Sequence, residues 1–163
     1  LPMFQRKTQA VQRYLAQYDR LVLMTRRDKL GQAVSGAISM ATNKWFNDGR
    51  DPSFTDAQVQ AMLPLVAHNL ARYIDEERLI LAVGRATRRP TLHVEFEDIV
   101  AQPDSVFARV TSFLLEGRAP QTLREDTDFA TLPERPPGVE AERLRQAFLA
   151  YIGGQQAAAV AGA

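Results

Sequence analysis

Apolar positions along the chain follow more than one period, and each period predicts a different element. Within residues 4–20, Val11, Tyr14, Leu15 and Tyr18 recur at three- and four-residue steps, which predicts a helix with one packed face. Leu21-Val22-Leu23-Met24-Thr25 shows no alternation, and a short unbroken apolar run predicts a strand buried on both faces of a parallel sheet. The run stops at Arg26-Arg27-Asp28-Lys29. Asp28 is a good N-cap, and Leu30, Val34, Ile38, Ala41 and Trp45 then return on one face of a helix. Strand, charged turn and helix form the first unit.

Turn residues at Asn47-Asp48-Gly49-Arg50-Asp51-Pro52 end that helix. Thr55 and Gln58 stand at capping-box spacing ahead of Val59, Met62, Leu63, Val66, Leu70, Tyr73 and Ile74, predicting a long helix to about Val83 that Pro64 kinks or restarts. After a basic connector through Arg85, Arg88, Arg89 and Pro90, Leu92, Val94 and Phe96 alternate with His93, Glu95 and Glu97, the pattern of a strand with one dry and one wet face. Pro103 opens a short amphipathic helix through Val106, Phe107, Val110, Phe113 and Leu114 to Gly117. Residues 118–138 hold four prolines and many charges and read as a surface excursion, residues 141–152 resume helical spacing through Leu144, Phe148 and Tyr151, and residues 153–163 read as a flexible tail. Residues 1–152 are thus expected to form a single α/β domain, helix-rich around a small parallel sheet. Both strands should lie parallel in it, with the helices that start near Asp28, Thr55 and Pro103 packed around.

Composition narrows the chemistry. Twenty Lys and Arg against nineteen Asp and Glu give a net charge of +1, which argues against a nucleic-acid binder that relies on a general basic field. There is no cysteine, which excludes disulfides, thiolate metal sites and cysteine nucleophiles, and His68 and His93 are the only imidazoles. No apolar run reaches the roughly 18 residues of a membrane span, so the sequence is read as cytoplasmic and without a membrane span.

The most informative stretch is Arg27 to Ser35, where a buried strand hands over to a helix, the place where open α/β sheets bind ligands. Helix N-terminal amides favour anions, Arg27 can fork onto two phosphate oxygens, and Ser35 can donate a hydroxyl to a third. Gln32, Ser35 and Ser39 make the polar side of this helix coherent. The plain alternative is that Arg27 and Lys29 are solvated turn charges and Ser35 a small residue in a tightly packed helix. His93, Glu95 and Glu97 imitate a metal site but read better as a solvated strand face, and no metal is expected. His68 reads as a surface histidine. Arg85, Arg88 and Arg89 read as a solvated connector. Trp45 reads as core, with a place near an acceptor pocket as the alternative, and Glu97 reads as an anchor for the turn after its strand. Asp126, Asp128 and Glu134 lie in the proline-rich excursion, where nothing in the sequence identifies a role for them.

The run Leu-Met-Thr-Arg-Arg-Asp-Lys-Leu-Gly-Gln-Ala-Val-Ser at residues 23–35, with Ala41-Thr42-Asn43-Lys44-Trp45 after it, resembles bacterial carbohydrate sulfotransferases of the trehalose sulfotransferase type. A second match is Val94-Glu95-Phe96-Glu97-Asp98-Ile99-Val100 with Pro103 and Phe113-Leu114, similar to that family's strand ending in Tyr-Glu-Asp-Leu and the helix after its Asp-Pro. Here Phe96 replaces the tyrosine and Gln102 the aspartate. The resemblance covers about residues 20–117. It implies an incomplete P-loop-like sulfotransferase sandwich, with 3'-phosphoadenosine-5'-phosphosulfate (PAPS) as sulfuryl donor, a carbohydrate hydroxyl as acceptor, and Arg27 and Ser35, eight positions apart, on the donor's 3'-phosphate. The family's Ser/Thr-Gly-rich phosphosulfate loop has no counterpart among the nine scattered glycines, so no catalytic base is assigned and an N-terminally truncated domain is expected. A non-catalytic nucleotide-binding or interaction module derived from that fold is the alternative. An uncovered side of the strand at residues 21–25 would favour a homo-oligomer.

Overall fold

The computed structural model describes residues 2–44, 52–116 and 138–161, with side chains for residues 9–44, 52–116 and 138–156. Among the described residues, six helices and two strands follow one another as α1 (Pro2–Leu15), β1 (Leu21–Thr25), α2 (Lys29–Thr42), α3 (Asp56–Ala86), β2 (Thr91–Glu95), α4 (Phe96–Ala101), α5 (Pro103–Leu115) and α6 (Val139–Ala161). The chain divides into two compact units. Leu1–Arg27 with Asp75–Glu134 make the first, and Asp28–Ile74 with Arg135–Ala163 the second.

The first unit is built on a two-stranded parallel sheet in which Leu21, Leu23 and Thr25 stand opposite Thr91, His93 and Glu95. The expected parallel α/β pairing is therefore present. Alternation along β1 puts Leu21, Leu23 and Thr25 on one face and Val22 and Met24 on the other. Only the first face of β1 is covered. Leu21 and Thr25 are buried, whereas Val22 is 38% and Met24 59% exposed, which corrects the expectation of a strand buried on both faces. The C-terminal part of α3 lies close on the covered face: a Cβ on Gly84 would stand 2.5 Å from Leu23 Cδ1, so a larger residue there would make the Leu23 side chain give way. α5 packs on β2, and Val94 and Val106 are buried there. Arg20 sits 5.3 Å from the Phe113 ring centroid and pairs with Glu116.

β2 ends at Glu95. Phe96, expected to continue the strand, instead opens α4, whose first turn carries Glu97 and Asp98 where acidic side chains favour a helix N-terminus.

The second unit is helical. Ala33, Val34 and Ala37 of α2, Val59, Met62, Leu63 and Val66 of α3, and Leu144 and Phe148 of α6 form one buried cluster. The predicted capping box is in place: Thr55 N–H donates to Gln58 Oε1 at 2.8 Å and Gln58 N–H to Thr55 Oγ1 at 3.3 Å. Pro64 is carried inside α3 and starts no new helix. α2 stops at Thr42 because Asn43 turns left-handed (φ 53°) and Lys44 N–H closes onto Ser39 C=O; Trp45, expected on this helix, lies outside the described residues. α6 runs past Ile152 to Ala161, through the stretch expected as a tail. Arg143 ties its start to Phe54 C=O at 2.7 Å and to the carboxylates of Asp56 and Glu140. Asp56 first, then Glu140, hold the Arg143 guanidinium above its ordinary pKa. Asn69 is fully buried; its Oδ1 accepts no hydrogen bond among the described residues, and its Nδ2 reaches only Met40 Sδ at 3.9 Å.

Candidate functional site

The carboxyl ends of parallel strands are where α/β folds place ligands, because the loops that follow open there. In this chain that edge belongs to the first unit and carries Thr25, Arg26 and Arg27 after β1, and Glu95, Phe96, Glu97 and Asp98 at the β2–α4 junction. Parallel pairing of Thr25 with Glu95 sets the two junctions side by side, although about seventy residues of sequence separate them.

Arg27 makes four of the contacts that join them. Arg27 Nε donates to Glu95 Oε2 at 2.5 Å, and Arg27 Nη2 reaches the same oxygen. Arg27 Nη2 also donates to Asp98 Oδ1 at 2.8 Å, and the Arg27 backbone N–H donates to Glu97 Oε2 at 2.9 Å. Arg26 lies with its guanidinium carbon 4.7 Å from the Phe96 ring centroid, a cation–π arrangement, and its Nε is 3.8 Å from Glu97 Oε1. Glu95, then Asp98, push the Arg27 guanidinium above its ordinary pKa, so it stays charged at every relevant pH. Its side chain keeps 61% of its surface exposed.

These contacts decide what Arg27 can offer. A guanidinium has five N–H donors arranged along two edges that fit a carboxylate or phosphate. Glu95 occupies the Nε/Nη2 edge, and Asp98 takes the second N–H of Nη2, which leaves Nη1 without a partner among the described residues. The expected fork onto two phosphate oxygens is therefore not open while both carboxylates are in place. With Arg26 and Glu97 included, three carboxylates surround two guanidiniums.

Thr25 Oγ1 and His93 Nε2 lie 2.5 Å apart on the covered face of β1. Glu97 sits on α4 and not on a strand face with His93, and among the described residues no group of histidine and carboxylate side chains is arranged to hold a metal ion. Glu97 does anchor a turn, the one after β1. His68 is exposed, and Arg89 donates to the Ala16 C=O at 3.1 Å.

Ser35 belongs to the second unit, on the exposed side of α2, with Gln32 and Ser39 half-buried beside it. The N-terminus of α2 is occupied by its own cap: Asp28 Oδ1 accepts from Gly31 N–H at 2.8 Å, and Asp28 Oδ2 accepts from Arg145 Nη1 at 2.8 Å. Arg145 is a basic residue at this helix start that the sequence pattern does not single out. Asp126, Asp128 and Glu134 lie outside the described residues. Among the described residues no helix is long and apolar enough to cross a membrane. No family model, curated protein or solved structure matches the chain.

Proposed function

We propose that this chain carries a donor-nucleotide site of a sulfotransferase domain with the P-loop-like sandwich fold. In that reading Arg27 holds the 3'-phosphate of PAPS, and the complete enzyme passes the sulfuryl group to a carbohydrate hydroxyl. The observation that supports it is the meeting of the two stretches that carry the resemblance: Arg26-Arg27 and Glu95-Phe96-Glu97-Asp98 bond directly to each other at the carboxyl ends of a parallel sheet. That is where the general rule for α/β folds puts a ligand. Ser35 enters this reading as a second phosphate ligand through its sequence spacing alone. Sulfuryl transfer calls for a base on the acceptor hydroxyl and fixed positive charge on the leaving phosphate; Arg27 supplies charge, and no residue is assigned as the base.

A second reading is an interaction module in which the same network is structural. It is favoured by the pairing of Arg27 with two carboxylates, which already satisfies most of its donors. Calorimetric titration with adenosine 3',5'-bisphosphate, with adenosine 5'-monophosphate as control, separates the two. Binding that requires the 3'-phosphate and weakens about tenfold in Arg27→Ala supports the donor site. Equal binding by both proteins, or none by either, favours the module.

A further inference from the structure

Glu95 and Asp98 hold the same guanidinium from different directions, and their effects on a ligand of Arg27 differ for that reason. We propose that they act on Arg27 in opposite senses: Glu95 is a positioning residue that fixes the guanidinium plane, and Asp98 is an internal competitor for the N–H that an incoming phosphate needs. The proposal rests on the reading of Arg27 as a phosphate ligand.

The geometry assigns the roles. Glu95, the last residue of β2, spans Nε and Nη2 with one oxygen and so fixes the plane of the group from the sheet itself. A phosphate can then approach only the opposite edge, where it needs one N–H of Nη1 and one of Nη2. Nη1 has no partner among the described residues; the Nη2 donor is held by Asp98 Oδ1 at 2.8 Å. Asp98 is in the first turn of the six-residue α4, with 43% of its side chain exposed, so it can turn to water. Glu97 meanwhile keeps the Arg27 backbone N–H at 2.9 Å. Exchange of Asp98 for phosphate is therefore a side-chain event on a fixed backbone. The displaced carboxylate remains beside the bound dianion and repels it, so Asp98 weakens the site both as an occupant and as a charge.

The experiment titrates adenosine 3',5'-bisphosphate into the full chain and five variants, Arg27→Ala among them, by calorimetry, with a melting curve for each protein. Asp98→Ala is expected to tighten binding about tenfold, and Asp98→Asn, which keeps an acceptor but removes the charge, about threefold. Glu95→Ala is expected to loosen it about threefold even though it also removes a negative charge, and Glu95→Gln to restore it by keeping an acceptor for Nε. A network that is merely structural would move both positions in the same direction. If Asp98→Ala and Asp98→Asn bind no tighter while Arg27→Ala binds more weakly, this inference is overturned and the phosphate-ligand reading stands. If Arg27→Ala binds as well as wild type, both fall. Should Asp98→Ala melt early, Asp98→Asn gives the decisive value.

Discussion

Arg145 Nη1 donates to Asp28 Oδ2 at 2.8 Å, so the residue that caps α2 is itself held from α6. The other Asp28 oxygen serves the helix by accepting from Gly31 N–H. One carboxylate thus satisfies an orphan amide at the start of α2 and ties two helices of the same unit together. Loss of the cap and of a half-exposed ion pair are separable contributions. Asp28→Ala should cost about 1–2 kcal/mol, most of it the cap, and Arg145→Ala less than about 1 kcal/mol. Urea unfolding of both variants and the double variant checks this; equal losses in the two single variants would show that the ion pair dominates.

Two glycines should respond oppositely to alanine. In Gly84→Ala the new methyl meets Leu23 Cδ1 at 2.5 Å on a buried face, so the Leu23 side chain must leave its rotamer, at about 1 kcal/mol. Gly153 lies within α6 with nothing within 4 Å of a Cβ, so Gly153→Ala should stabilise by up to about 1 kcal/mol through helix propensity. Thermal melts of the pair should move apart.

Asn69 is a fully buried amide whose Oδ1 lacks a donor among the described residues. A buried acceptor left unsatisfied forfeits its hydration without return. Asn69→Leu, which keeps the branched outline and the number of side-chain heavy atoms, should therefore raise the unfolding free energy by about 1 kcal/mol. A loss of stability in denaturant titration would show that the amide is satisfied in solution.

Tyr18 donates its hydroxyl hydrogen to Tyr14 Oη at 2.9 Å, with the rings edge-on at a centroid distance of 5.4 Å. That hydrogen bond, followed by the charge of a Tyr14 phenolate, pushes Tyr18 above the ordinary tyrosine value of 10.0. Because the folded value is the higher one, the pair supports folding at pH below 10.0 and loses that support as pH rises through the raised value. Absorbance titration near the phenolate band should show one late tyrosine, and Tyr14→Phe should bring it back toward normal. An unchanged titration in that variant would reject the pair as the cause.

Elements signalled by neighbouring residues were legible in the sequence, because their chemistry is local. Thr55 with Gln58, Asp28 as a cap and Pro103 at a helix start each do what their spacing predicts. The parallel pairing of the two strands followed from the helical crossover between them. What failed depends on tertiary partners. An unbroken apolar run such as Leu21–Thr25 does not report how many faces are covered, and here Met24 is left outside. The alternation through Phe96 looked like more strand, but Glu97 and Asp98 favour a helix start and the Phe96 ring serves Arg26 instead. At the site, Arg27 and the acidic stretch after Val94 were both visible as separate motifs, and only the strand register joins them. Arg145 carried no signal, since a charge beside the core residue Leu144 reads as ordinary helix surface.

Among the described residues β1 pairs on one side only, which has a consequence for proton traffic at its backbone. Leu21 N–H donates to Pro90 C=O at 3.0 Å, and in a parallel ladder this phase turns the amides of Leu21, Leu23 and Thr25 toward β2 and those of Val22 and Met24 away from it. In deuterated water the strand should exchange in an odd–even rhythm: residues 23 and 25 should be slow, limited by opening of the sheet, and 22 and 24 should exchange orders of magnitude faster. Any partner that laid a third strand along that side would silence the fast positions while leaving the slow ones unchanged. A five-residue segment would thereby report, residue by residue, when its open edge is closed.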